Sequence, residues 1–196
     1  MKKILGSLVM IALLTNVSFA QNDEFKSVIS LGAGFTLGGA LVKAVEDASV
    51  GEVESKSLPN IEIAYDFGLT KWFSLGLMGT YQSLSLEETV NAQVSTYSVS
   101  RIYVGGSFLF HYANSGKLDL YSGIRVGYKD WSASADLAAG ATDLEIEDIN
   151  FFGDGIGFQV MLFGIRGYLT DNIGIYGEVI GIGAPHISSI GLNYRF

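Results

Sequence analysis

The sequence predicts an all-β protein: an eight-stranded antiparallel up-and-down transmembrane β-barrel. Three observations predict it. Apolar residues alternate with small or polar ones over segment after segment, the period of a strand with one greasy face and one wet face. The chain is apolar overall, with mean hydropathy +0.34 and only 16% charged residues. Yet after residue 20 no run approaches the ~18 apolar residues of a membrane helix. Finally, the connections alternate between tight turns and long polar stretches, as in a barrel with one short-turn rim and one loop rim. Two prolines and 25 glycines also suit a twisted sheet better than helices.

The N-terminus reads differently from the rest. Lys2 and Lys3 precede an apolar run from Ile4 to Leu14 that is too short to span a bilayer, and Ser18-Phe19-Ala20 places small residues where a signal peptidase reads. Residues 1–20 are therefore expected to be a secretory signal peptide cleaved before Gln21, leaving residues 21–196 as one barrel domain. The chain has no cysteine, which excludes both lipid attachment after the apolar run and disulfide stapling. An exported chain of this size then depends on a good core, a closed sheet or a membrane. Losing Lys2 and Lys3 takes the net charge from −8 to −10, a balance that argues against nucleic acid as a partner.

Eight strands follow in order. The first, about Lys26 to Leu37, sets Ile29, Leu31, Ala33 and Phe35 against Ser30, Gly32, Gly34 and Thr36. The second, about Asn60 to Leu69, sets Ile61, Ile63, Tyr65 and Phe67 against Glu62, Ala64, Asp66 and Gly68. The third runs from Phe73 to about Leu84, with Leu75, Leu77 and Tyr81 opposite Ser74, Gly76 and Thr80. The fourth, about Tyr97 to Tyr112, opposes Ile102, Val104, Phe108 and Phe110 to Arg101, Gly105, Ser107 and His111. The fifth, Leu118 to about Trp131, opposes Ile124, Val126 and Tyr128 to Tyr121, Gly123, Arg125 and Lys129. The sixth, about Gly155 to Leu169, is apolar on both faces. Its parity is set by an internal similarity: FGLTKWFSLGLMG (67–79) superposes on GYLTDNIGIYGEV (167–179) through Leu-Thr. That puts Met161, Phe163, Ile165 and Leu169 outward, with Gly164, Arg166 and Tyr168 inward. The seventh strand points Ile173, Ile175 and Val179 out and Gly174, Tyr176 and Glu178 in; the eighth runs from about Ile187 to the end.

Tight turns are expected at Thr70–Trp72, Ala113–Lys117 and Thr170–Asn172, and long loops over Gly38–Pro59, Ser85–Thr96 and Ser132–Asp154. A soluble barrel with its apolar face inward would share the strand count, so the faces must be assigned. The polar face is built from Gly, Ser, Thr and a few charges, which suits the narrow interior of eight strands. Aromatic residues gather at strand ends: Trp72, Phe73, Tyr112, Tyr168, Tyr194 and Phe196 near the short turns, Phe35, Tyr81 and Tyr128 near the loops. Two such belts match bilayer interfaces, and in hydrocarbon only a closed sheet satisfies the backbone without helices. The greasy face is therefore expected outside.

The chain ends on IGLNYRF, an alternating strand whose last residue is Phe196. With the signal peptide and eight strands of about ten residues, this resembles the bacterial outer-membrane β-barrel family of the small OmpA/OmpX type, including small porin-family barrels. The resemblance spans the whole expected mature chain. It implies a bacterial outer-membrane location, surrounding membrane lipid, and a monomer with both termini in the periplasm. It also implies that Tyr194 and Phe196 form the signal read by the outer-membrane insertion machinery.

The expected lumen carries Glu62, Asp66, Arg101, Arg125, Lys129, Arg166 and Glu178. Buried charges need partners, so these should neutralise one another as a plug, with Arg166 and Glu178 close enough across one turn to pair. The acidic stretch DLEIEDINFFGDG (143–155) matches no EF-hand spacing and reads as a solvated loop. His186-Ile187-Ser188 resembles the His-x-Ser element of lipid A deacylase barrels, but Ser189 stands where those have Asn and no acid follows. No catalytic residue, cofactor or metal ligand set is assigned. The expected function is non-enzymatic, structural or surface-binding through long extracellular loops that hold an unidentified ligand. The alternative is a narrow porin-like channel for small solutes.

Overall fold

A computed structural model describes residues 27–49, 52–90, 93–136, 154–183 and 186–196. The expected signal peptide, most of the acidic stretch 143–155 and hairpin residues 184–185 lie outside the described residues. The elements are β1 (Ser27–Phe35), α1 (Leu37–Ala48), β2 (Glu52–Ser55), β3 (Leu58–Thr70), β4 (Phe73–Val90), β5 (Gln93–Asn114), β6 (Leu118–Asp136), β7 (Gly155–Tyr168), β8 (Ile173–Gly183) and β9 (Ser188–Arg195).

Eight of the strands close into a ring. Each pairs antiparallel with its neighbours in the order β1–β3–β4–β5–β6–β7–β8–β9, and β9 returns to β1 from Val28↔Arg195 to Phe35↔Ser188. The short β2 lies outside the ring, paired to β4 alone among the described strands. Closure leaves no edge within the ring, which meets the demand that a membrane places on backbone polar groups. The last residue is tied down too: Ser27 N–H donates to Phe196 O at 3.2 Å, and Phe196 N–H to Ser27 O at 3.1 Å.

The faces are inside-out relative to a soluble barrel. Leu31, Ile63, Leu77, Val104, Ile190 and Leu192 are exposed on the outer surface. Ser30, Glu62, Asp66, Ser107, Arg125, Glu178 and Asn193, their neighbours in sequence or pairing, are buried within. This is the architecture of a transmembrane β-barrel. Trp72, Phe73 and Phe110 cluster at the short-turn rim, with Trp72 and Phe110 stacked at 6.3 Å and Phe73 5.2 Å from Phe110. Tyr65, Tyr194 and Phe196 form a second group on the same rim. Tyr168 faces inward as its parity predicts, so it belongs to the lumen and not to that girdle, with the Arg195 guanidinium 3.7 Å from its ring centre.

The internal repeat proves to be one turn used twice. Thr70 Oγ1 accepts from Trp72 N–H, and Thr170 Oγ1 accepts from Asn172 N–H, each at 3.3 Å. The hydroxyl does in both turns what a backbone acceptor would otherwise do.

Four expectations need correction. Met161 points in, not out, and is 1% exposed. Register shifts between Val160 and Phe163 make Leu162 and Phe163 both face outward, so the strand changes phase and the parity carried back from Leu169 fails before the bulge. Residues 38–59 are not an irregular loop, because Thr36 caps α1 by accepting from Gly39 N–H at 3.1 Å. Leu37, Leu41 and Val45 form an exposed apolar stripe along that helix. The connection 85–96 is strand where it is described, since β4 and β5 pair to Val90↔Gln93, and the start of the connection 132–154 is strand to Asp136, residues 137–153 lying outside the described residues.

Candidate functional site

The lumen is where alternation delivers every inward side chain, and eight strands leave room for little else. It is filled in layers. Near the short-turn rim, Arg166 of β7 reaches across to Asp66 of β3, which stands diametrically opposite in the ring, and its other nitrogen lies 3.5 Å from Asp119 of β6. Asp66 also accepts from Ser107 Oγ at 3.1 Å. Asp119 meets His111 Nδ1 at 2.7 Å, and Ser74 Oγ holds the other ring nitrogen at 2.9 Å. The Arg166 guanidinium stacks on Tyr121 at 4.4 Å. A cavity of about 380 Å³ opens at this rim and ends on Asp66, Asp119 and Arg166.

Tyr121 joins this layer to the next by donating its hydroxyl to Glu178 Oε1 at 2.9 Å. Arg125 donates to the same oxygen at 2.7 Å and to Gln159 Oε1 at 3.1 Å, and Gln159 Nε2 donates to the His186 carbonyl at 3.1 Å. Tyr176 donates its hydroxyl to Glu62 Oε1. His186 Nε2 faces Glu62 Oε2 at 3.3 Å and Glu178 Oε2 at 3.9 Å. Asn60 Nδ2 approaches His186 Nδ1 at 3.4 Å, while Asn60 Oδ1 accepts from Arg101 at 3.0 Å. Below and beside these groups, Leu109, Tyr121, Met161 and Ile180 pack as an apolar cluster inside the barrel.

Six of the seven expected lumen residues thus stand buried inside: Glu62, Asp66, Arg101, Arg125, Arg166 and Glu178. Lys129 sits at the loop end of β6, half-buried, opposite Tyr103 and Gly155 in register. Arg166 and Glu178 do not pair with each other. Glu178 stands opposite Gly164 and Arg166 opposite Tyr176, and long guanidinium arms find better partners across the lumen than beside them. Tyr194 and Phe196 are exposed on the outer face.

Asp119, Asn60, Gln159 and His186 were missed as network members. Asp119 shares the parity of Tyr121 and Arg125 on β6, so alternation alone would have found it. His186 follows the β8 strand in a connection, where parity gives no direction. Among the described residues no nucleophile is hydrogen-bonded to it: Ser189, not Ser188, approaches Glu178, at 3.5 Å. Among the described residues, Glu62, Glu178 and His186 could together hold a metal, their ligand atoms all lying within 4.8 Å of one another.

No protein-family model matches the chain, and no curated protein is similar to it in sequence. Solved structures are similar in fold. Ail, the attachment invasion locus protein of Yersinia pestis, solved in complex with the heparin analogue sucrose octasulfate, is 12% identical, covers 88% of this chain and 99% of its own, and has a TM-score of 0.45. The outer membrane protein OprG from Pseudomonas aeruginosa is 12% identical over 88% of this chain and 92% of its own, also with a TM-score of 0.45. Neither likeness carries a residue role or a ligand to this chain.

Proposed function

We propose that the protein is a non-enzymatic barrel of the bacterial outer membrane that works through a sheet held above the membrane, and not through a pore. One observation carries this reading: the two ends of the barrel are built to different lengths while its middle is filled. β1, β8 and β9 have 9, 11 and 8 residues, near the ~9–11 that cross a bilayer. β4, β5 and β6 have 18, 22 and 19 residues, so they run on past the apolar band at the loop end. With β2 they form a projecting sheet carrying Glu54, Glu87 and Glu88, its edge fastened by Lys56 to Glu87 at 2.6 Å. Such a platform, positioned by a rigid barrel, suits binding to a surface ligand. Meanwhile the Asp66–Arg166 pair spans the lumen, which argues against the narrow-channel alternative.

The outward positions of Tyr194 and Phe196 on the terminal strand support their reading by the insertion machinery during biogenesis. The exposed apolar band supports membrane lipid as a partner, and ring closure supports a monomer.

Two experiments test the reading. Folded protein in planar bilayers is expected to show no steady single-channel openings; large, steady currents would overturn it in favour of a channel. An epitope inserted between Val90 and Gln93 is expected to be stained on intact cells. Staining only after the envelope is broken would put the projecting sheet on the wrong side.

A further inference from the structure

We propose that Glu62, Glu178 and His186 form a buried binding site for a divalent transition-metal ion, zinc being the best match, inside the loop-side half of the lumen. The site goes beyond the proposed surface role and stands whichever ligand the projecting sheet takes.

The first argument is that, among the described residues, Glu62 has no guanidinium or ammonium group in hydrogen-bond contact. Glu178 has the Arg125 guanidinium at 2.7 Å, but buried Glu62 receives only the Tyr176 hydroxyl and faces the imidazole of His186. A buried carboxylate without a cation is expensive. The second argument is a pair of orphans: Glu62 Oε2 and His186 Nε2 are both fully buried and make no hydrogen bond of acceptable geometry among the described residues. Their 3.3 Å separation is the spacing of two ligands on one tetrahedral zinc, about 3.3 Å for bonds of ~2.0–2.2 Å. Glu178 Oε2, 3.9 Å from the imidazole, closes the set with a small side-chain adjustment.

The third argument is the support around the ligands. Each glutamate is held by its other oxygen: Tyr176 takes Glu62 Oε1, and Tyr121 with Arg125 take Glu178 Oε1. Outer partners of this kind orient ligating carboxylates. β1 leaves room for the assembly by having no side chain at two places. A Cβ on Gly34 would come within 2.8 Å of the His186 side chain, and one on Gly32 would collide with the Tyr176 hydroxyl. One imidazole with two carboxylates and an open fourth position favours zinc over the all-oxygen sites of calcium or magnesium.

Loading has a structural consequence. A metal on Nε2 puts the ring proton on Nδ1, which now faces the Asn60 amide nitrogen at 3.4 Å. The Asn60 amide must then turn its oxygen to the ring and give up its bond to Arg101. Arg125 beside Glu178 weakens the ion's hold, so the metal should exchange with a chelator.

The test uses the full-length folded barrel in detergent, stripped with a chelator, loaded with zinc chloride or cobalt chloride, desalted and assayed for bound metal. The proposal predicts about one zinc per chain, and cobalt absorption bands of tetrahedral intensity. Glu62→Gln and His186→Gln are each expected to lower zinc affinity at least tenfold while the barrel still shows its folded mobility. Should one variant fail to fold, the other decides. A stoichiometry far below one, or retention unchanged in a folded variant, would overturn the site and leave His186 as an imidazole packed between two carboxylates.

Discussion

The two charged layers of the lumen are built from the same side-chain types and solve burial differently. In the layer near the short turns, Asp66 and Asp119 share Arg166, and Asp119 also has His111, which is itself held by Ser74. In the layer nearer the loops, Glu178 has Arg125 but Glu62 has no guanidinium, and an oxygen and a ring nitrogen are left facing each other. In the first layer both carboxylates have a cationic partner, and Arg166 Nε is left without a hydrogen bond among the described residues. In the second a carboxylate oxygen, Glu62 Oε2, is itself left without a hydrogen bond among the described residues. Buried polar groups cost little only when every member is satisfied, so the difference marks where to look for a ligand.

The layers should respond unequally to loss of one carboxylate charge. Asp66→Asn strands part of the Arg166 charge and is expected to destabilise the barrel by about 3–5 kcal/mol, read from urea unfolding in lipid vesicles. Glu62→Gln in metal-free protein removes an unpaired charge and keeps an acceptor for Tyr176, so it should cost under about 1 kcal/mol or stabilise. Equal losses at the two sites would erase the distinction between the layers.

Outside the lumen, Leu77→Lys on the lipid face should cost about 2–4 kcal/mol, against nearly nothing for Glu88→Lys on the projecting sheet. The same unfolding experiment checks both. Gly32→Ala should cost about 1–3 kcal/mol through overpacking, because its methyl displaces Tyr176 from Glu62. It should also weaken zinc binding without touching the lower layer.

The smallest effect is expected in α1. Glu46 accepts from Ser55 and from Lys43, and these bonds hold its carboxyl below the usual carboxylate range. A carboxyl depressed in the folded state stabilises above its unfolded pKa, and that contribution is lost as pH falls through the folded value. Amide exchange in α1, corrected for the intrinsic effect of pH, should therefore accelerate below about pH 4 while the ring strands stay protected. Unchanged protection of α1 would separate the helix from that contact.

Alternation made most of the ring legible. The inward parity of Glu62, Asp66, Arg125, Arg166 and Glu178 followed from strand patterning because the bilayer imposes a period of two on every spanning strand. Where the strands leave the apolar band, that constraint lapses. Residues such as Ser85, Glu87, Ser95 and Ser98 are polar on both faces, so the sequence looks like loop although the ladder continues. The α1 helix was hidden for a related reason: Leu37, Leu41 and Val45 have helical spacing, but Gly38 and Gly39 weaken the signal and the stripe buries nothing. Pairing inside the lumen was not legible at all. Asp66 and Arg166 are 100 residues apart and meet only because ring closure sets β3 opposite β7. His186 met Glu62 the same way, across 124 positions of sequence that no local pattern connects.

The account rests on an inside-out barrel, and gel mobility of the cell envelope tests that most directly. The outer-membrane fraction, solubilised in mild detergent, is run with and without boiling. A closed barrel with an apolar exterior is expected in that fraction, with its band shifting on heating as the ring opens. Recovery as a soluble periplasmic protein with no heat-dependent shift would contradict the account, because the exposed Leu31, Leu77, Ile190 and Leu192 would then face water with nothing to cover them.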